Sequence, residues 1–287
     1  MFKSAAISHI GHIRACNEDS FIENVELGLW LVADGVGGNA HGDFASQVVS
    51  QTIERKIRLG STLKEAVEDA HLTVIKLGRD KPDISGMAST VVAVHFKGTH
   101  YQICWVGDSR VYLINQEDGI RQLTVDHNQA QFLVETGEIS SEEARVHPSQ
   151  RILMHAVGIN DADWKVDQLE GELCPGERLL LCSDGLSGEL EDADILASFD
   201  QDKPLRVIVK ELVEKALSHG GSDNITLALV ELDRYGVKAS ELNKIPEPNH
   251  ATNNPVVLKG TSKSALKYMV LGVAAALAVV TIAVWVA

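Results

Sequence analysis

The sequence contains few cysteines, and they are widely separated. The four residues Cys16, Cys104, Cys174 and Cys182 form no Cys-x-x-Cys pair. Four scattered cysteines without such a pair favour neither a disulfide framework nor a zinc site. Cys104 and Cys182 lie within apolar runs, which predicts buried free thiols in a reducing compartment.

An excess of positive charge is also absent. The 26 Lys and Arg residues are outnumbered by 40 Asp and Glu residues, which gives a formal net charge of −14. Proteins that bind nucleic acids use basic surfaces to contact phosphates, so we predict no nucleic-acid partner. No sustained apolar stretch opens the chain, and residues 1–6 therefore predict no signal or transit peptide.

The length and composition are sufficient for a substantial core. The chain has 287 residues, of which 45% are hydrophobic. Residues 1–232 alternate strand-like and helix-like segments without a Pro-, Gly- or Ser-rich break, which predicts one domain. Residues 233–264 contain three prolines and several asparagines, a composition typical of a flexible linker.

Residues 265–287 predict a membrane anchor. The segment 269–287 contains no charged residue, and its 19 residues would form a helix of about 28 Å, close to the thickness of a bilayer core. Lys259, Lys263 and Lys267 precede the segment and Trp285 is near its end, which favours a single-pass orientation with the preceding domain in the cytoplasm. A buried core helix is the alternative.

The segment 29–38 is an apolar run that ends at Asp34 and continues into glycines. Such a run is typical of a buried strand, and the polar end would place a carboxylate beside unobstructed backbone. A cation or a phosphate could bind there. The alternative is an ordinary Asp-Gly turn after a strand.

The remaining pattern predicts antiparallel strands combined with helices. Short apolar runs separated by turn residues predict an antiparallel meander over residues 90–123, and residues 128–156 predict a helical or irregular insertion. Helical spacing recurs over residues 44–57, 63–77 and 205–217, and further strands are predicted over 177–182 and 224–230.

Aspartates stand beside small residues in five separate stretches. One such aspartate is usually a turn residue or a helix cap. If Asp34, Asp184 and Asp223 converge, their repulsion would raise their pKa values and destabilise the fold unless a divalent cation neutralised them. Oxygen ligands without clustered histidine or cysteine favour Mg²⁺ or Mn²⁺ over zinc.

Seven short motifs follow one another along the chain: GHIRACNED at 11–19, VADGVGG at 32–38, ST at 89–90, GDSRVY at 107–112, LTVDH at 123–127, LCSDGL at 181–186 and DNIT at 223–226. In this order they resemble the PPM family of metal-dependent protein phosphatases, also called type 2C serine/threonine phosphatases, in its bacterial form. The resemblance covers about residues 5–231. It implies an α+β fold in which two antiparallel sheets form a central sandwich with helices on both faces.

The resemblance implies a role for each motif residue. Asp34 would bridge two Mg²⁺ or Mn²⁺ ions, and the carbonyl of Gly35 would join the first ion. Arg14 would bind the substrate phosphate with its planar guanidinium. The other implied metal ligands are Asp184 and Asp223 at the second ion, Asp19 and Glu18 through water, and Asp108 at a weaker third ion.

The implied activity is hydrolysis of phosphoserine and phosphothreonine in proteins by a water that bridges two divalent cations. The implied partners are phosphoproteins and a Ser/Thr kinase whose action the enzyme opposes at the membrane. Substrate selection is expected from residues 126–151, which we name the flap. A pseudophosphatase that binds phosphoproteins without turnover is one alternative, and a calcium-binding membrane adaptor is another. Val36 stands where eukaryotic members often have a histidine after the Asp-Gly pair, so the general acid is left unassigned.

Overall fold

The computed structural model describes residues 2–36, 41–115, 117–159, 164–200 and 203–232. The predicted linker and membrane anchor lie outside these residues, as do Gly37 and Gly38 of the glycine turn. Among the described helices, none combines the length and the apolar character that a bilayer crossing requires.

Two antiparallel sheets form the centre of the described part of the chain. One sheet has the strand order β1-β11-β10-β7-β8 and the other has the order β2-β3-β5-β6-β9, with β4 paired to the end of β3. The strands are β1 (Phe2–His9), β2 (Asp19–Asn24), β3 (Leu29–Val36), β4 (Ala88–Ser89), β5 (Val91–Lys97), β6 (His100–Val106), β7 (Arg110–Asn115), β8 (Gly119–Gln122), β9 (Asp167–Glu172), β10 (Arg178–Cys182) and β11 (Ile225–Leu232).

Helices cover the outer faces of both sheets. Helices α1 (Gly42–Arg58) and α2 (Leu63–Asp80) cover one sheet, and α5 (Asp184–Ser187), α6 (Asp192–Leu196) and α7 (Leu205–His219) cover the other. Two further helices, α3 (Gln129–Glu135) and α4 (Ser141–Ala144), pack against each other in the segment between β8 and β9. Helix α2 begins with a capping box in which Thr62 and Glu65 exchange side-chain and backbone hydrogen bonds. The predicted helices over 44–57, 63–77 and 205–217 are confirmed.

Three layers of apolar side chains hold this α-β-β-α sandwich together. Trp30 and Val32 of β3 face the other sheet and pack there against Leu179 and Val230. Leu31, on the opposite face of β3, packs under α1 and α2. A third layer lies between β10, β11 and α7. Because β3 is buried on both faces, it appears in the sequence as a continuous apolar run. The predicted α+β sandwich of two antiparallel sheets with flanking helices is confirmed.

Several local predictions need correction. The region predicted as one meander forms two hairpins in different sheets, because residues 107–109 carry the chain from β6 to β7 across the sandwich. Strand β3 continues through Asp34 to Val36, because β4 pairs with Gly35 and Val36. Asp184, predicted to follow a strand in a turn, is the first residue of α5. Strands β1, β2 and β9 were not predicted.

Strands β1 and β11 run antiparallel along their full lengths. Phe2 pairs with Leu232 at one end, and His9 pairs with Ile225 at the other. The first described residue and the last are therefore neighbours, and the opposite ends of both strands lead to the acidic motifs.

Candidate metal-binding active site

Three of the predicted carboxylates meet where the two sheets approach each other. Asp19 begins β2 and lies opposite Asp34 of β3 in the strand register. Asp184, which follows β10 of the other sheet, brings its carboxyl group within hydrogen-bonding reach of Asp34. Two carboxyl groups can share a hydrogen bond only when one of them is protonated.

The crowding of these acids disfavours their charged forms. Burial, followed by the charge of Asp19, raises the pKa of Asp34 well above its usual range. Burial also raises the pKa of Asp19, to about 7, against the opposing hydrogen bonds from Thr226 and Ser183. The pKa of Asp184 is raised by burial and then by the charge of Asp223. A divalent cation would reverse these shifts because it stabilises the ionised carboxylates.

Two buried carboxylate oxygens have no hydrogen-bond partner among the described residues. They are Oδ1 of Asp19 and Oδ1 of Asp184. The other oxygen of Asp19 accepts a hydrogen bond from the Ser183 hydroxyl at 2.9 Å. A buried polar atom without a hydrogen-bond partner destabilises the folded state. Carboxylate oxygens are the ligands that Mg²⁺ and Mn²⁺ prefer. The residues present therefore fit divalent cations.

The backbone at Gly35 and Gly42 is packed too closely to accept side chains. A Cβ atom on Gly35 would lie 2.0 Å from the carbonyl oxygen of Gly42, and one on Gly42 would lie 2.6 Å from Oε1 of Glu18. The backbone N–H of Gly35 donates to the Glu18 carbonyl at 3.0 Å. These contacts bring the carboxylate of Glu18 next to the start of α1 and the backbone of Gly35.

Asp223 and Arg14 form an ion pair at the rim of this cluster. One oxygen of Asp223 accepts a hydrogen bond from Arg14, and the other accepts one from the backbone N–H of Asn224. The Arg14 side chain is 49% exposed, and the charges of Asp184 and Asp34 also act on it. Arg14 is thus placed beside the carboxylates, as its predicted role in binding phosphate requires, but in this structure it contacts Asp223.

Asp108 lies in the connection between the sheets and is only 7% exposed. Burial, followed by the charges of Asp184 and Asp126, raises its pKa well above the usual range. It lines a cleft together with Asp184 and Asp223. The cleft therefore connects Asp108 to the central carboxylates.

Among the described residues, no group of three or more Asp, Glu, His or Cys side chains is already arranged so that it could hold a metal ion. Both oxygens of Asp223 accept hydrogen bonds, one from Arg14 and the other from the backbone N–H of Asn224. The convergence of Asp19, Asp34 and Asp184 is observed, whereas the individual ligand roles remain predictions.

Asn224, for which no role was predicted from the sequence, fixes the loop that carries Arg14 and Glu18. The buried Asn224 side chain donates to the carbonyls of Ile10 and Cys16 at 2.9 and 3.0 Å, and its oxygen accepts from the backbone N–H of Glu18 at 2.8 Å. The sequence feature that could have indicated this role is the position of Asn224 directly after Asp223.

Ser89 and Thr90 hold the backbone of Asp34. The Ser89 hydroxyl and the backbone N–H of Thr90 donate to the Asp34 carbonyl at 2.9 and 2.8 Å, and the Thr90 hydroxyl accepts from the Asp34 N–H at 3.1 Å. Both residues are buried. Ser89 and Thr90 were recognised in the sequence only as a family motif, and their support of Asp34 was not predicted.

Cys182, next to this site in the sequence, is a packing residue. Its side chain is buried against α5 and α7, and burial raises the pKa of the thiol to about 12. The thiolate required for nucleophilic chemistry is therefore strongly disfavoured. Cys104 is likewise buried and free, as predicted.

Comparison with known proteins identifies the family. The family profile described as Protein phosphatase 2C matches residues 8–225. The chain belongs to the protein phosphatase 2C family. This result confirms the resemblance inferred from the ordered motifs.

Similar protein phosphatase 2C relatives occur in bacteria. The chain is 33% identical over 234 residues to the serine/threonine phosphatase stp of Listeria innocua, a match that covers 77% of this chain and 92% of the relative. It is 34% identical over 241 residues to the serine/threonine protein phosphatase PstP of Mycobacterium tuberculosis, covering 82% of this chain and 46% of that protein.

Solved structures of this family share the fold. The crystal structure of Mycobacterium tuberculosis PstP/Ppp aligns with a TM-score of 0.73 at 34% identity, covering 80% of this chain and 98% of that chain. The PstP catalytic domain in complex with two manganese ions aligns with a TM-score of 0.71 at 32% identity, covering 80% of this chain and 97% of that chain.

Proposed function

We propose that this chain is a metal-dependent phosphatase that hydrolyses phosphoserine and phosphothreonine in proteins. The observation that carries the proposal is the meeting of Asp19, Asp34 and Asp184, with two buried carboxylate oxygens that lack partners. Membership of a family whose relatives are named serine/threonine phosphatases supports the substrate class.

The donor set favours Mg²⁺ or Mn²⁺, and the complex of PstP with two manganese ions supports two sites. When bound, such ions make a water nucleophile available at neutral pH and neutralise charge on the phosphoryl oxygens. The residues that would hold them are Asp34, the Gly35 carbonyl, Asp184 and Asp223, with Asp19 and Glu18 acting through water and Asp108 at a weaker third position.

Of the remaining site residues, Arg14 would bind the substrate and the others hold Asp34 and the Arg14 loop in place. Arg14 would present two N–H groups to two phosphate oxygens, as a planar guanidinium does in bidentate recognition. Ser89 and Thr90 hold the Asp34 backbone, and Asn224 holds the loop that carries Arg14. The cleft beside the flap would receive the peptide around the phosphorylated residue.

A phosphopeptide assay tests this proposal. The full chain is assayed on a phosphothreonine peptide and on a phosphotyrosine peptide, each with Mn²⁺ and with chelator. We expect Mn²⁺-dependent release of phosphate from phosphothreonine and little from phosphotyrosine. Binding of the phosphothreonine peptide without any turnover in Mn²⁺ would instead identify a pseudophosphatase.

We also propose that residues 1–232 form the catalytic domain, that residues 233–264 are a linker, and that residues 265–287 anchor the chain in a membrane. The apolar, uncharged segment 269–287 and the three lysines before it support this arrangement. The catalytic domain would then lie in the cytoplasm, where it would oppose a Ser/Thr kinase at the membrane. Membrane fractionation of the full chain and of a chain ending at residue 264 tests the anchor, and equal recovery of both in the soluble fraction would contradict it.

A further inference from the structure

His127 is a buried side chain to which the proposed function assigns no role. Only 8% of its side chain is exposed, and it lies at the start of the flap. Its Nδ1 atom accepts a hydrogen bond from the backbone N–H of Gly107 at 3.2 Å, and its own backbone N–H donates to the Gly107 carbonyl at 3.0 Å. His127 therefore holds both polar backbone groups of Gly107.

The second ring nitrogen of His127 is held by a carboxylate. Nε2 lies 3.1 Å from Oδ2 of Asp167, whose other oxygen forms an ion pair with Lys165 at 2.9 Å. Because Nδ1 accepts from Gly107, the neutral ring carries its proton on Nε2 and donates it to Asp167. This pairing of carboxylate, imidazole and backbone fixes both the tautomer and the orientation of the ring.

The residue held in this way directly precedes Asp108. Gly107 has φ of +110°, and a Cβ atom there would lie 2.6 Å from Cβ of Thr90. On the other side of Asp108, the Ser109 hydroxyl hydrogen-bonds the Thr90 hydroxyl at 2.8 Å. Asp108 therefore lies between two fixed neighbours. Gly107 is held by His127, and Ser109 is held by Thr90, which also supports Asp34.

The same histidine joins the start of the flap to the segment just after it, and we name residues 127–128 and 153–154 the flap base. Its carbonyl accepts a hydrogen bond from the backbone N–H of Met154, three residues beyond the flap, at 2.8 Å. The next residue, Asn128, forms an isolated antiparallel bridge with Leu153. A displacement of the flap base would therefore be transmitted through His127 to Gly107 and Asp108.

We propose that His127 is a positioning residue that holds the carboxylate of Asp108 for a weakly bound third divalent cation and couples it to the base of the flap. This inference depends on the proposed function only for the nature of the ligand at Asp108. Asp167 orients His127, and Gly107 transmits the constraint to Asp108.

Two substitutions of His127 separate its two ring contacts. In His127→Asn the Oδ1 atom can occupy the place of Nδ1 and accept from Gly107, whereas in His127→Gln the amide group can reach only the place of Nε2. Binding of Mn²⁺ to the full chain is measured by calorimetry and by electron paramagnetic resonance, and the thermal midpoint of each variant is recorded. Asp108→Ala identifies the weak site.

We expect His127→Asn to retain the weak site within about threefold, and His127→Gln to weaken it about 10- to 100-fold, as loss of an outer-shell partner does. The tighter sites should not change in either variant. Equal Mn²⁺ affinities in the two variants, losses that follow only the thermal midpoint, or a wild-type chain without a weak site would each overturn the proposal. Because the readout is metal binding, a chain that binds Mn²⁺ but hydrolyses no phosphopeptide refutes the proposed function alone.

Discussion

Asp19 and Asp34 lie directly opposite each other on the adjacent strands β2 and β3. Like charges at facing positions of an antiparallel pair are destabilising, and both side chains are also largely removed from solvent. The raised pKa values of both groups record this cost. The arrangement makes physical sense if cations bind there, because each bound ion removes the repulsion that the fold otherwise carries.

Replacing Asp184 should remove activity without unfolding the protein. Asp184→Asn replaces a carboxylate with a neutral amide at a proposed metal ligand. Several kcal/mol of transition-state stabilisation should be lost, which corresponds to a decrease of about 10² to 10⁴ in kcat/KM. In chelator the thermal midpoint should rise, because one buried charge has been removed. Asp83→Asn, at an exposed position on the surface, is the matched control and should behave as wild type in both assays.

The stability of the metal-free protein should decrease as pH rises from 3.8 to about 7 through the titration of Asp19. The unfolded chain loses the Asp19 proton near 3.8, whereas the folded protein keeps it until about 7, so the folded state binds more protons in this range and loses stability as pH rises. Thermal midpoints measured in chelator across this range test the effect.

Burial lowers the pKa values of His71 and His95, so the titration of these histidines raises the stability as pH rises, opposite to the effect of Asp19. Asp19→Asn is the control because it removes only the contribution of Asp19. The midpoint of the variant should fall less with pH than that of wild type. Mn²⁺ should raise the wild-type midpoint most at the alkaline end, since it binds ionised carboxylates. Identical slopes in wild type and variant would contradict the assignment.

Asn224→Asp should be strongly destabilising although the two side chains have the same shape. The carboxylate would face the carbonyls of Ile10 and Cys16, which now accept hydrogen bonds from the Asn224 amide. Loss of these buried hydrogen bonds should cost about 2–4 kcal/mol, measured by urea denaturation. The same change at the half-buried Asn115 of the β7–β8 turn should cost under about 1 kcal/mol, because its oxygen continues to accept from two backbone N–H groups.

Gly35→Ala should destabilise the fold and reduce metal binding. The added Cβ would lie 2.0 Å from a backbone oxygen of Gly42, and neither backbone segment can move without displacing Glu18 or Asp34. Overpacking of this kind costs about 1–3 kcal/mol or more. Gly78→Ala, inside α2, meets no atom closer than 3.6 Å and should leave stability unchanged or raise it by up to about 1 kcal/mol.

Arg14→Gln should weaken substrate binding more than it weakens the fold. A charged hydrogen bond to phosphate contributes about 1.5–3 kcal/mol, which predicts a decrease of about 10- to 100-fold in kcat/KM. Arg14 is half exposed, so its ion pair with Asp223 should add little to stability in solvent. Arg79→Gln, on the exposed end of α2, serves as the control. A variant with unchanged kcat/KM would exclude the phosphate-binding role.

The antiparallel strands, the long helices and the acidic motifs were predicted from local sequence patterns, whereas the two-sheet sandwich was implied by the resemblance to the PPM family. The long apolar runs of β3 and β10 are typical of strands buried on both faces, and the spacing in α1, α2 and α7 is typical of helices with one buried face. Asp34 and Asp184 were recognised because each interrupts such a run at its end.

The parts that were not predicted depend on long-range contacts. Strand β1 contains small and polar residues, and it is a strand because β11 pairs with it along its full length. The assignment of β6 and β7 to different sheets depends on the positive φ of Gly107 and on its packing against Thr90. The ion pair between Arg14 and Asp223 joins residues 209 positions apart, a separation that no local pattern encodes.

The antiparallel pairing of β1 with β11 has a practical consequence for presenting the enzyme to its substrates. Strand β11 starts beside Asn224 and runs eight residues, about 26 Å, before Leu232 pairs with Phe2. A fusion partner or surface attached beyond Leu232 would therefore be joined to the end of the sandwich remote from the acidic cleft. Immobilisation through that end should therefore leave the cleft accessible to phosphoprotein substrates.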